Sequence, residues 1–376
     1  MEKIRVLHCI ETIGSGGVEQ VRYNLAKYLD KDRFEQKIVC TQALGGLPEK
    51  IAAAGVPVIP VGQFKYPLQI GQFIKVWKVI RKYRPHIIHG AVFEGVSMAV
   101  LSGKIGRVPV VLSEETSDPV DRSWRGNLLM RGFVYLSDNV VAMAPATVKY
   151  LKEVLKTPEE KIKIIHYGVE VDREPGAGEI ASLRASLGIG PDDFVVGSVG
   201  RLLDAVKRFS DLIKAVSLLR DQKINVKLLI VGDGEDKETL EGLALELGVA
   251  EQIIFAGYQS ETAPFYGCMD VFGLASSTES FGMVLVEAML ARLPVVATAV
   301  GGIPYVVEDR ETGILVAPFS PSQLAAAIEE LFRDAVLCGK LGEAGYARAM
   351  AQFSARAYVQ KVEEMYLQLC REKGII

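Results

Sequence analysis

The sequence predicts an α/β protein of two doubly wound, Rossmann-like domains, each a parallel sheet wrapped by crossover helices. Three observations lead there. Short β-branched runs alternate with helix-period segments along the chain. A strand running into glycine and then a helix opens the chain at Lys3 and recurs at Asp193. The length, 376 residues, suits two domains at about 100–200 residues each.

In order, Lys3 to Ile10 reads as a buried strand. The glycine turn Gly14-Ser15-Gly16-Gly17 follows, then a helix with Val21, Leu25 and Leu29 on one face. Phe34 to Thr41 is strand, Leu47 to Ala54 helix and Val56 to Val61 strand. Ile70 to Tyr83 is an amphipathic helix stopped by Pro85, and Ile87-Ile88-His89 begins the next strand. The second half repeats the pattern. Strands are expected at Asp193 to Gly200, Val226 to Val231, Ile253 to Ala256, Val271 to Leu274 and Pro294 to Thr298. Helices are expected at Phe209 to Leu219 and Lys237 to Leu247. Val169 to Gly178, rich in charge, Pro and Gly, reads as the linker. The domain boundaries expected are 1–168 with a final helix from about 358 to 376, and 169–357. Ligands are expected at strand carboxyl ends facing the cleft.

Composition narrows the class. Hydrophobic residues make up 49% and charged residues 24%, which excludes wholesale disorder. The longest apolar candidate, Met283 to Val300, is broken by Glu287, Arg292 and Pro294, so no bilayer-spanning helix is expected. Charges follow Met1 at once, against a secretory leader. The five cysteines form no CxxC pair, which fits reduced thiols and a cytoplasmic setting. The net charge of −3 conceals a basic half (24 Lys+Arg, 16 Asp+Glu in 1–168) and an acidic one (19 and 30 in 169–376). Different partners for the two halves, or surface charge serving solubility alone, account for this equally.

Three places carry candidate chemistry. At Gly14-Ser15-Gly16-Gly17, backbone N–H groups and the helix dipole suit an anion such as a pyrophosphate, though a tight connection needs the same residues. A dinucleotide fingerprint is excluded because the third glycine of GxGxxG falls on Glu19, and no GxxxxGK[ST] exists. Next, Arg201 after Gly200, and Lys207-Arg208 at the following helix, suit a diphosphate and a leaving group gaining charge. A solvated basic loop is the alternative. The strongest signal is Glu279-Ser280-Phe281-Gly282-Met283-Val284-Leu285-Val286-Glu287. Gly282 puts Glu279 in a loop and Glu287 inside a helix whose first N–H groups, Phe281 to Val284, suit phosphate or sugar oxygens. A chance surface pair would leave Glu287 unexplained amid apolar residues.

Together these pieces resemble the GT-B retaining glycosyltransferases of family 4. The resemblance rests on Gly16-Gly17-Val18-Glu19, Gly200-Arg201 with Lys207, Val231-Gly232-Asp233-Gly234 and Glu279 through Glu287. Val295-Val296-Ala297-Thr298 before Gly301-Gly302, and Glu311-Thr312-Gly313, complete it. It implies sugar transfer from a nucleotide-diphosphate donor with retained anomeric configuration, the departing phosphate taking the acceptor proton. On that resemblance Arg201 and Lys207 hold the diphosphate, Glu279 meets the donor sugar and Glu287 takes the ribose hydroxyls. Backbone groups of Gly16 and Gly17, and of Phe281, Gly282, Met283 and Val284, contact diphosphate or sugar. Tyr258 lies at the base, and a last helix, roughly Tyr358 to Lys373, crosses back to the N-terminal domain. UDP is the more frequent donor nucleotide in the family.

The departures fall elsewhere. Ala91 stands where many relatives carry a second histidine, Tyr305 where an acidic residue is common, and Tyr167 where asparagine is. They touch acceptor positioning more than donor binding. His89 reads as strand-end packing, while Glu94, Glu114 and Glu115 are weaker acceptor-side candidates. Neither a cofactor nor a metal is expected: the four histidines lack ligand spacing and Asp30-Lys31-Asp32 reads as a solvated turn. The expected partners are a nucleotide-diphosphate sugar and a glycan or lipid-linked acceptor, not nucleic acid. The basic segments Lys75 to Arg84 and Arg122 to Arg131 add an expected peripheral contact with an anionic membrane. Two alternatives compete: a nucleotide-sugar-binding partner with little transfer activity, and a dehydrogenase, the latter disfavoured by Glu19.

Overall fold

A computed structural model describes residues 2–14, 16–64, 69–116, 122–170 and 173–376. Ser15 of the expected glycine turn, and residues 171–172 of the expected linker, lie outside them. The chain divides into two units, Met1–Val169 with Ser354–Ile376, and Glu170–Phe353.

The first unit is a seven-stranded sheet: β1 (Ile4–Ile13), β2 (Phe34–Ala43), β3 (Val58–Pro60), β4 (Ile87–Ala91), β5 (Val110–Glu115), β6 (Asn139–Ala142) and β7 (Ile162–Ile164). Its order is β3-β2-β1-β4-β5-β6-β7, and its pairs are parallel. Apolar residues fill both faces, as a sheet covered by helices on each side requires. Helix Val92–Ile105 lies almost on the backbone of β1, because a Cβ on Gly95 would collide with the Cys9 carbonyl.

The last helix, Ala355–Glu372, belongs to this unit. Ser354 caps it by accepting from the Ala357 N–H at 3.3 Å, and Tyr358 packs on Gly168. It lies beside helix Gly17–Tyr28, and the Tyr366 hydroxyl sits 2.7 Å from His89 Nδ1.

The second unit is six-stranded: β8 (Phe194–Val199), β9 (Val226–Val231), β10 (Ile253–Gly257), β11 (Val271–Leu274), β12 (Val295–Thr298) and β13 (Ile314–Val316). The order is β10-β9-β8-β11-β12-β13, again parallel. Strand order reverses between β8 and β11, so the loops after these two strands diverge around a crevice at their carboxyl ends.

Candidate active site

The second unit gathers the residues with chemical promise at that reversal. β8 runs into Gly200, and the loop behind it is fixed by the β9 loop. The Gly200 N–H donates to the Val231 carbonyl at 3.0 Å, and the Leu202 N–H to the Asp233 carbonyl at 3.0 Å. Gly232 has φ +145°, and a Cβ there would strike the Gly200 carbonyl. Asp236 takes the Asp204 N–H at 2.6 Å, and Asp204 takes the Ser210 N–H at 2.8 Å. This lattice of backbone and carboxylate bonds orders the short helix Asp204–Lys207. Lys207 is thereby aimed across the reversal.

Its partner comes from the loop after β11. Lys207 Nζ donates to Glu279 Oε2 at 2.5 Å, both side chains being mostly sheltered. The Glu279 segment rests on the glycines that follow β12. A Cβ on Gly301 (φ +53°) would strike the Glu279 carbonyl, and one on Gly302 the Ser280 carbonyl. The Gly302 N–H donates to the Glu279 carbonyl at 2.8 Å. Ser277 is tied to the Lys207 loop, its N–H donating to the Val206 carbonyl at 2.8 Å. Cation and carboxylate are therefore positioned by one connected set of loops.

Gly282 adopts φ +88° and opens helix Met283–Leu290, whose start has no side-chain cap. The Phe281 ring itself is buried against Phe353, centroids 5.6 Å apart. Glu287 lies about one turn into this helix, and its Oε2 accepts from the Tyr266 hydroxyl at 2.7 Å. Burial pushes the Glu287 carboxyl up from its ordinary value, and the Tyr266 bond pulls against that shift. Burial likewise pushes the Tyr266 phenol well up, so it stays a donor. Sequence reasoning missed Tyr266, which reads as core in Pro264-Phe265-Tyr266. The signal available was a lone hydroxyl in an apolar turn, which needs a partner when buried.

Arg201 and Tyr258 complete the strand-end set differently. Arg201 is largely exposed and lies 3.8 Å from Glu235, so it is a loose cation rather than a preset clamp. Tyr258 follows Gly257 at the end of β10 and is 62% exposed, an open aromatic face.

The first unit modifies two expectations. Glu19 Oε2 accepts from the Gly14 N–H at 2.9 Å and the Gly16 N–H at 2.6 Å. The Gly16 N–H offered to a diphosphate is thus held by the chain's own carboxylate, which also places negative charge there. Gly17 begins helix Gly17–Tyr28. Glu114 and Glu115 are not solvated charges facing an acceptor but buried ion-pair members. Glu114 binds buried Arg22, and Glu115 binds Arg122 at 2.8 Å. Burial pushes Glu114 upward, but Arg22 and His89 outweigh it and hold the carboxyl well below the usual range. His89 is enclosed, its Nε2 3.1 Å from Glu114 Oε2, and burial lowers its proton affinity. Glu94, in the first turn of Val92–Ile105, remains partly exposed.

The Glycosyltransferase Family 4 model matches residues 15–173, and the Glycosyl transferases group 1 model matches residues 179–348. The chain belongs to the family 4, group 1 glycosyltransferases. Similar family members include the lipopolysaccharide core biosynthesis glycosyltransferase LpsE of Rhizobium meliloti, 37% identical over 53% of this chain and 56% of that protein. The chain thus matches little more than half of LpsE's length. A D-inositol 3-phosphate glycosyltransferase of Streptomyces bingchenggensis is 28% identical over 97% of this chain and 87% of its own. Among solved structures, HepE of Anabaena, in complex with UDP and glucose, superposes with a TM-score of 0.87. It is 22% identical, with 97% of this chain and 100% of that chain covered. At that identity the likeness carries the fold, two Rossmann-like domains of the GT-B class.

Proposed function

We propose that this family 4 member moves a hexose from a nucleotide-diphosphate sugar, UDP-linked, to a glycan, glycolipid or lipid-linked acceptor with retention of configuration. The observation that carries the reading is the Lys207–Glu279 pair at the strand-order reversal, beside an uncapped helix start. Lys207 and exposed Arg201 neutralise the diphosphate as its bond to the sugar breaks, without a metal ion. The departing phosphate oxygen accepts the acceptor's proton, so no protein base is assigned. The backbone N–H groups of Met283 and Val284 face the donor's anionic oxygens, Glu279 takes donor-sugar hydroxyls, Glu287 takes ribose hydroxyls and Tyr258 stacks on the base. HepE's complexes with UDP and with UDP-glucose support the choice of nucleotide. The name of LpsE supports an acceptor in glycan assembly, which fits work at the cytoplasmic face of a membrane.

The test begins with UDP-, GDP- and ADP-sugars in a thermal-shift panel, where specific binding raises the midpoint by mass action. Slow donor hydrolysis is then followed by NMR, with the anomer of the released sugar read before it mutarotates. Stabilisation by UDP-sugars with turnover to the retained anomer is expected. Binding without turnover favours a nucleotide-sugar-binding partner, and the inverted anomer overturns the proposed stereochemistry.

A further inference from the structure

The outer helical layer of the first unit has a character that donor chemistry does not explain. Helix Val92–Ile105 packs between helices Ile70–Tyr83 and Trp124–Leu136, so the three form one layer on the sheet. The two flanking helices expose Lys75, Lys78, Arg81, Lys82, Arg125 and Arg131 and contain no acidic residue. Helix Trp124–Leu136 turns Met130, Phe133 and Val134 inward, as amphipathic packing requires. Yet it also leaves Trp124 71%, Leu128 62% and Tyr135 76% exposed. Large apolar groups held in water beside a one-sign charge field mark an interaction surface. The Arg125 guanidinium lies over the Trp124 ring, 5.3 Å from its centroid. Cations and amphipathic rings in that arrangement match the headgroup level of a bilayer.

We propose that helix Trp124–Leu136 is an interfacial anchor. Trp124, Leu128 and Tyr135 enter the boundary between headgroups and acyl chains of an anionic membrane, while the cations of both flanking helices bind lipid phosphates. This deepens the lipid-linked-acceptor part of the reading above and rests on it for its purpose, but not on the donor chemistry. A nucleic acid would also engage the cations and stack on the rings, but offers nothing to Leu128. A bilayer uses all three kinds of side chain. The sequence-level expectation relied on charge alone, which salt screens. Apolar insertion adds a component that salt leaves in place.

The whole chain is floated with phosphatidylcholine vesicles, with and without phosphatidylglycerol, at low and at raised salt. The native protein is expected on the anionic vesicles, weakened by salt yet still measurable. The triple variant Trp124→Ser, Leu128→Ser, Tyr135→Ser, altered only at exposed positions, should bind at least about tenfold more weakly and lose the salt-resistant part. Its UDP affinity should equal the native value, which separates this proposal from the transfer reading. Native-like vesicle binding by the triple variant overturns the anchor, as does absence of native binding to anionic vesicles. Displacement of native protein from vesicles by a single-stranded oligonucleotide, with the triple variant displaced equally, assigns the face to nucleic acid and also overturns it.

Discussion

Lys207 and Glu279 hold each other at 2.5 Å, so each is already satisfied before a donor arrives. A diphosphate must take Lys207 from Glu279, and this gives the two residues separable signatures. Lys207→Ala should lower turnover by about a hundredfold or more, as removal of a preorganised charge stabiliser does. Glu279→Ala frees the lysine, so affinity for UDP alone should be equal or tighter while use of the complete donor falls. Calorimetry with UDP beside kinetics with UDP-sugar distinguishes these outcomes; weaker UDP binding in Glu279→Ala contradicts the assignment. At the other carboxylate, Tyr266→Phe removes the bond that opposes the burial-driven rise in Glu287's proton affinity. Ribose hydroxyls need an ionised acceptor, so nucleotide affinity falls as pH drops through the raised value. The variant should lose affinity at a higher pH than the native protein, measured between about pH 5 and pH 8. Side-chain partners such as Tyr266 were hidden from sequence reading because they join segments far apart in the chain. Lys207 and Glu279 are separated by 72 residues, and only their motifs marked them. Glu19's grip on Gly16 has capping-box spacing, three residues after the N-cap, but the sequence reading gave that N–H to the diphosphate instead.

Among elements, those with their own punctuation were readable. Helix Ile70–Tyr83 matches its expected limits because Pro85 and its apolar period define it; β11 is an uninterrupted apolar run, and β9 is broken only by Lys227. β3 shrinks to Val58–Pro60, since prolines at 57 and 60 remove donors from the ladder. β5 was not legible: it ends in Glu114 and Glu115, whose cationic partners come from helix Gly17–Tyr28 and from Arg122. The buried Glu114 ties this strand to helix Gly17–Tyr28. Glu114→Ala leaves Arg22 charged and unpaired, so a loss of about 3–5 kcal/mol is expected in denaturant unfolding. His89 adds a pH dependence of known sign. Its proton affinity is lowered in the native state, so the unfolded chain binds the extra proton. The first unit should therefore lose stability as pH falls below about 6.5, where an unfolded histidine charges. Differential scanning calorimetry at pH 7 and pH 5.5 checks this; His89→Gln should flatten the dependence. In the second unit, Gly232→Ala should destabilise by more than about 1 kcal/mol, because its φ of +145° and the Gly200 carbonyl both exclude a side chain.

For the whole molecule, the alternation of strands and helices disclosed the fold class, whereas the burial of Glu114 against Arg22 was set by tertiary packing. The charge contrast sharpens when the last helix is counted with its unit: 28 Lys+Arg against 19 Asp+Glu in the first, 15 against 27 in the second. An acidic unit proposed to bind an anionic donor must rely on a few placed cations rather than on its overall field. No cluster of metal-ligating side chains occurs among the described residues. Under the proposed mechanism, transfer should persist in EDTA at an unchanged rate. Complete loss, restored by magnesium or manganese, overturns the cationic account of leaving-group stabilisation.

The return of Ser354–Ile376 to the first unit has a consequence for synthesis. A ribosome makes that unit in two instalments, with residues 170–353 in between, a delay of roughly ten to forty seconds at ordinary translation speeds. Throughout it, the nascent chain carries an apolar face awaiting Val362, Tyr366 and Leu369, and His89 awaits its hydroxyl. Once Phe353 is added, the second unit has every residue it needs. A premature stop just before Ser354 would therefore leave the part made last intact and the part begun first unfinished. Such a product would keep the Lys207–Glu279 pair, yet fall to chaperones and proteases through its opposite end.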